Sequence, residues 1–180
     1  MTRLAITSTI LGTAIIAGRL PGVIAPAKFS QHAQKFPRSV TWGRILAAVC
    51  ALWALVVMYN AATDDWAWAK PFVVIGMPIA YWLVIQYADQ FLALRGLAAL
   101  LLLIAKVALD AADLSDTPIR LVVTVLAYVW VCAAMWMAAA PHQVRDVIDF
   151  VTANSARCRA ACFFGTAIGA LLVLLGLFVY

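Results

Sequence analysis

Six stretches of the chain run apolar for about the length of a membrane-crossing helix, and short polar connections separate them. A helix needs roughly 20 such residues to cross a hydrocarbon core. By that ruler the stretches cover residues 4–25, 44–61, 71–88, 92–110, 118–139 and 160–179. A segment in hydrocarbon must satisfy its own backbone hydrogen bonds, and a single segment does so only as a helix. The expected fold is therefore all-α: a polytopic helical membrane protein, six transmembrane helices in three hairpins, forming one integral membrane domain over residues 1–180. The third stretch is short, and Tyr87-Ala88-Asp89-Gln90 leads at once into the fourth. Five spans, with 72–109 partly re-entrant, is the alternative.

Composition rules out a water-soluble reading. Two-thirds of the residues are hydrophobic, 12% are charged, and the mean hydropathy is +0.98. A soluble chain of 180 residues leaves about a third of its surface in water after folding. It could not hide this much apolar area.

The thirteen basic residues are split unevenly among the connections. One side of the expected bundle collects Lys28, Lys35, Arg38, Arg44, Arg95, Arg145, Arg157 and Arg159, with Arg19 nearby, against Asp89, Asp146 and Asp149. The other side has Arg3, Lys70, Lys106 and Arg120 against Asp64, Asp65, Asp110, Asp113 and Asp116. Lysine and arginine near span ends set orientation. The expectation is a basic cytoplasmic face and both termini outside, in a bacterial inner membrane. The net charge of +5 is dispersed over short loops, so no nucleic-acid partner is expected. Trp66, Trp68, Tyr59 and Tyr180 fall at outer span ends, and Trp42 and Tyr87 at inner ones, as amphipathic rings favour the headgroup level. Met1-Thr2-Arg3, followed by an apolar run to Gly18, imitates a secretory signal. We read it as an uncleaved signal anchor, the first span.

The first and last hairpins echo each other at an offset of 115 residues, over 1–60 and 116–175. Ala25-Pro26 matches Ala140-Pro141, and Arg44 matches Arg159. Between proline and arginine each copy carries a helical apolar stripe: Phe29, Ala33 and Phe36 in one, Val144, Val147, Ile148 and Val151 in the other. Polar and basic residues fill the opposite face, so each segment is expected to lie in the membrane interface. A duplication would be a parallel repeat; shared loop chemistry is the alternative. A proline-started basic loop leading through an arginine into a glycine-rich span also resembles the YjeT-like proteins, a small two-span bacterial family. The likeness covers Pro26 to Gly43 and Arg157 to Gly176, under a third of the chain. It implies no activity.

Charged groups within spans are costly and are candidates for function. Lys106 and Asp110 stand one turn apart and can pair. They form either a snorkelling lysine with its counter-ion or, with Asp113, a proton or cation relay. Arg19 precedes Leu20-Pro21-Gly22, which bends or ends the first span. If the helix continues, Arg19 lies about 10 Å deep and Asp89 is its expected partner. His32 and His142 fall in connections and no histidine falls in a span. An intramembrane bis-histidine haem is therefore not expected, and neither is a metal or another cofactor.

Cys158 and Cys162 stand one turn apart at the basic end, and Cys50 and Cys132 fall within spans. Free thiols are expected, since a reducing compartment disfavours disulfides. The sequence contains no zinc-protease pair, phosphate loop or serine elbow. Small residues that let membrane helices approach occur at Ala14 and Gly18, at Ala134 and Ala138, and at Gly165 and Gly169. The expected function is a non-catalytic membrane subunit or scaffold. It would pack against other membrane subunits or itself, and would hold anionic lipid at Lys28, Lys35, Arg38, Arg44, Arg145, Arg157 and Arg159. A small ion or solute carrier or channel is the first alternative, and a lipid-headgroup enzyme the second.

Overall fold

A computed structural model describes residues 2–61, 68, 70–87, 91–114 and 119–179. Among the described residues the regular structure is helical throughout: α1 (Arg3–Ile24), α2 (Pro26–Lys35), a 3-10 turn (Phe36–Arg38), α3 (Val40–Ala61), α4 (Lys70–Tyr87), α5 (Leu92–Asp113), α6 (Arg120–Ala139), α7 (Pro141–Thr152) and α8 (Ser155–Phe178). Six of these helices, α1, α3, α4, α5, α6 and α8, are long and apolar enough to cross a membrane. The 18 residues of α4 and the 22 of α5 form two separate helices. Two separate helices, each long and apolar enough to cross a membrane, therefore occupy the stretch that the re-entrant alternative concerns.

Local chemistry sets the helix ends. Thr2 caps α1, accepting from the Ala5 amide at 3.2 Å. The Ser39 hydroxyl accepts from the Trp42 amide at 3.3 Å, and the Asn154 side chain accepts from Ala156 at 2.9 Å. Side-chain acceptors at these positions satisfy amides that lack an intrahelical partner. Hence α3 and α8 begin four and five residues earlier than expected, at Val40 and Ser155. Their first five residues include Arg44 in α3, and Arg157 and Arg159 in α8. Proline starts α2 and α7, where its missing amide costs nothing.

Pro21 neither ends nor breaks α1, which continues to Ile24. Neighbouring helices can support a proline within a membrane helix. Here Gly22 lies against α8: a Cβ at that position would overlap Cys162 Sγ.

The 115-residue offset reappears in the backbone. Helices end at Ile24 and Ala139, restart at Pro26 and Pro141, and restart again at Val40 and Ser155. The linking residues adopt nearly the same conformation, Ala25 at φ −132°, ψ 70° and Ala140 at φ −133°, ψ 64°.

The packing order differs from three successive hairpins. The most extensive contacts join α1 to α8, α5 to α6 and α3 to α5, while α4 rests on α3. Small residues explain the order. Gly12 meets the Gly169 backbone and Gly176 meets Ser8 and Ala5, so α1 and α8 run almost backbone to backbone. Gly43 meets Leu92 and Ala93, and Gly96 meets Leu46, which brings α3 onto α5. Without a hydrophobic drive between helices in lipid, close approach of this kind selects partners. The core between α5 and α6 is alanine-rich, with Ala105, Ala108, Ala127 and Ala134 almost fully buried.

Candidate functional site

The basic connections gather at one end of the bundle. Helices α2 and α7 lie side by side there, joined by a hydrogen bond from Gln34 Nε2 to Thr152 Oγ1 at 2.9 Å. The start of α5 packs on the 3-10 turn, and Phe91, Phe36, Val144 and Ile148 pack around one cluster. Phe91 takes a left-handed conformation (φ 59°, ψ 26°), and its carbonyl accepts from Leu94 and Arg95. An L-residue pays about 1–2 kcal/mol for that conformation. The aromatic ring in the cluster offsets part of this cost.

This end carries Lys28, Lys35, Arg44, Arg95, Arg145, Arg157 and Arg159 on helices or helix starts, all but Arg145 exposed. Arg157 lies over the Phe150 ring, 4.5 Å from its centroid, a cation–π contact between α7 and α8. Arg145 pairs with Asp146 at 2.8 Å. Asp146, by hydrogen bond and then by charge, holds the guanidinium above its ordinary range. The side chain of Arg38 lies outside the described residues.

The elbows between α1 and α2 and between α6 and α7 share a backbone but not their side chains. In the first, the Phe29 ring rests on Gly22. A groove of about 540 Å³ opens beside it, lined by Ala17, Leu20, Pro21 and Ile24 of α1 and by Lys28, Phe29 and His32 of α2. In the second, Met137 and Val144 are buried together, and Trp136 Nε1 donates to Gln143 Oε1 at 2.9 Å. At the 115-residue offset Trp136 stands where the first elbow has Pro21, and Gln143 where it has Lys28.

The charged candidates separate. Lys106 and Asp110 form an ion pair, with both side chains more than half exposed on the outside of α5. Ionisable groups that move protons or ions face a bundle interior or a water-filled cavity. This pair faces outward. Asp113 is exposed one turn further on, and its carbonyl accepts from Arg120 Nη1 at 3.4 Å. Arg19 lies along α8, its Cγ, Cδ and Nε covering Gly165. Asp89, its expected partner, is outside the described residues.

The packing candidates also divide. Gly169 is buried against Gly12, Gly165 lies under Arg19, and Ala134 is buried between α5 and α6. Ala14, Gly18 and Ala138 are exposed, and nothing lies within 4 Å of the Gly18 position. Gly12, Gly22, Gly43 and Gly96 make close contacts that the sequence reading did not name. The available signal was spacing: Ala5, Ser8, Gly12, Arg19 and Gly22 follow steps of three, four and seven, as do Cys158, Cys162, Gly165, Gly169, Leu172 and Gly176. Cys158 and Cys162 are buried free thiols in that seam. Among the described residues, no three histidine, cysteine or acidic side chains gather as a metal ion would need.

These features define a class: an all-helical chain with six helices suited to crossing a membrane and a basic end built on two short amphipathic helices. No family model matches the chain, and no curated protein or solved structure matches it either.

Proposed function

We propose that the chain is a non-catalytic integral membrane subunit or scaffold, whose exposed helix faces dock partner helices and whose basic end holds anionic lipid. The reading rests on α4. Among its described residues none is buried, and it leans mainly on α3. Phe72, Ile75, Ile79 and Trp82 are each more than half exposed. An apolar helix held so lightly offers almost its whole surface to lipid or to another chain. In the orientation we propose, the basic end faces the cytoplasm, both termini lie outside, and the membrane is a bacterial inner membrane. The positive-inside bias supports that orientation, and anionic lipid headgroups complement the charge. Native electrophoresis of the chain, extracted from its own membranes in mild detergent, tests the proposal. Co-migration with a larger assembly is expected. A lone monomer, or solute transport by the chain reconstituted alone, would overturn it.

A further inference from the structure

We infer that the groove at the α1–α2 elbow is a binding site for one anionic phospholipid, with an acyl chain along α1 and the phosphate at Lys28 and His32. The inference rests on the membrane location in the proposed function and adds a defined site to it. Three observations carry it.

The first is the lining. From Ala17 to Ile24 the α1 wall is apolar and runs about 10 Å, at 1.5 Å per residue. That length suits the upper part of an acyl chain. Solvated anions and polar peptides have nothing to bind along such a wall.

The second is the rim. Lys28 and His32 stand one turn apart on α2, and both are exposed. His32 Nδ1 lies 2.8 Å from the Lys28 carbonyl. A carbonyl only accepts, so Nδ1 carries a hydrogen; Nε2 then accepts in the neutral ring and donates to a phosphate oxygen only in the imidazolium, which leaves Lys28 as the constant donor at the rim. A cation and an imidazole at the mouth of an apolar groove complement an amphiphile with a negative head. Choline and ethanolamine lipids also carry a phosphate but add a cation, so the site should prefer a glycerol headgroup.

The third is the internal comparison. The second elbow has the same backbone turn, yet Trp136 spans it and bonds to Gln143. In the first elbow, proline replaces the indole and lysine replaces the amide acceptor. The same architecture is thus closed by a side chain in one copy, and left open with a positive charge in the other.

The test uses the full chain, purified alone in detergent, with added dioleoyl phosphatidylglycerol or dioleoyl phosphatidylcholine and bound lipid counted by native mass spectrometry. A monomeric chain would count against the subunit reading but leaves this measurement intact. Wild type should retain phosphatidylglycerol over phosphatidylcholine by roughly fivefold, the preference one lysine–phosphate attraction gives. Lys28→Gln with His32→Gln should abolish the preference while a lipid is still retained. Pro21→Trp with Lys28→Gln, which builds the second elbow into the first, should reduce retention of both lipids by roughly tenfold. Equal retention of the two lipids by wild type, or none, would overturn the site. So would wild-type retention by the elbow graft with an unchanged unfolding temperature. If the graft fails to fold, the double glutamine variant decides, and an unaltered lipid preference there rejects the inference.

Discussion

Helices α8 and α4 are both apolar enough to cross a membrane, yet they are held in opposite ways. Against α1, α8 places Gly165, Gly169 and Gly176 in one seam, and adding a single Cβ at Gly12 would bring it within 2.5 Å of the Gly169 carbonyl oxygen. Helix α4 has one glycine, Gly76, with nothing within 4 Å of it. It presents Phe72, Ile75, Ile79 and Trp82 outward. The difference teaches that hydropathy puts a helix in this bundle but does not choose its neighbours. In lipid, bulky apolar side chains gain little by leaving one hydrocarbon environment for another, whereas small residues allow backbone contact.

The sharpest way to break the comparison is to fill the seam. Gly12→Leu and Gly169→Leu should each cost about 1–3 kcal/mol or more, the usual penalty of overpacking. The effect would be read as a lowered unfolding temperature in detergent. Gly18→Leu, on the open side of the same helix, should leave it unchanged; equal losses at Gly12 and Gly18 would refute the seam. A smaller loss, about 1 kcal/mol, is expected for Ser39→Ala and for Asn154→Ala, each of which removes a helix cap. Similar losses at the two sites would extend the likeness between the two segments to their energetics. Lys106→Gln removes a half-exposed ion pair and should cost no more than about 1 kcal/mol. A larger loss of function than of stability would restore the relay reading. On α4, Gly76→Leu should leave the unfolding temperature of the isolated chain unchanged. If a partner docks there, the same substitution should shift the native-gel mobility. Smallest of all, Arg145→Gln should not move the unfolding temperature, because its pairing with Asp146 is solvent-screened. Since Asp146 raises Arg145, loss of the guanidinium charge would break that pairing only above the ordinary arginine range, so titration of this residue adds no pH dependence near neutrality.

The sequence made the six helices legible because length and apolar content are local properties. Their starts were less so. Ser39 and Asn154 carry a cap signal, but it lies outside the apolar runs that mark the spans. Helix pairing was the least legible, because GxxxG-like spacing occurs on faces that pack and on faces that do not. Gly165 and Gly169 were named and lie at the seam, while Ala14 and Gly18 have the same spacing and face outward. The longer three-four-seven pattern on α1 distinguishes the buried face, since it follows one side of the helix for its whole length. The groove at the first elbow was not legible either. Its walls come from two helices whose mutual angle depends on Phe29 seating on Gly22, and neither residue announces that contact alone. In the sequence Lys28 stands out for its charge, and His32 only as a histidine in a connection. The structure brings the two together at one rim.

The α1–α8 seam also sets a schedule. It joins α1 to α8, and Gly169 follows its neighbour Gly12 by 157 positions. Synthesis at about 5–20 residues per second takes roughly eight to thirty seconds to cover that interval. During that time α1 is already made, with its glycine face uncovered and its closest partner not yet translated. Helix α1 is thus translated well before its main partner, and the nascent chain must keep that face from other small-residue helices until α8 is made.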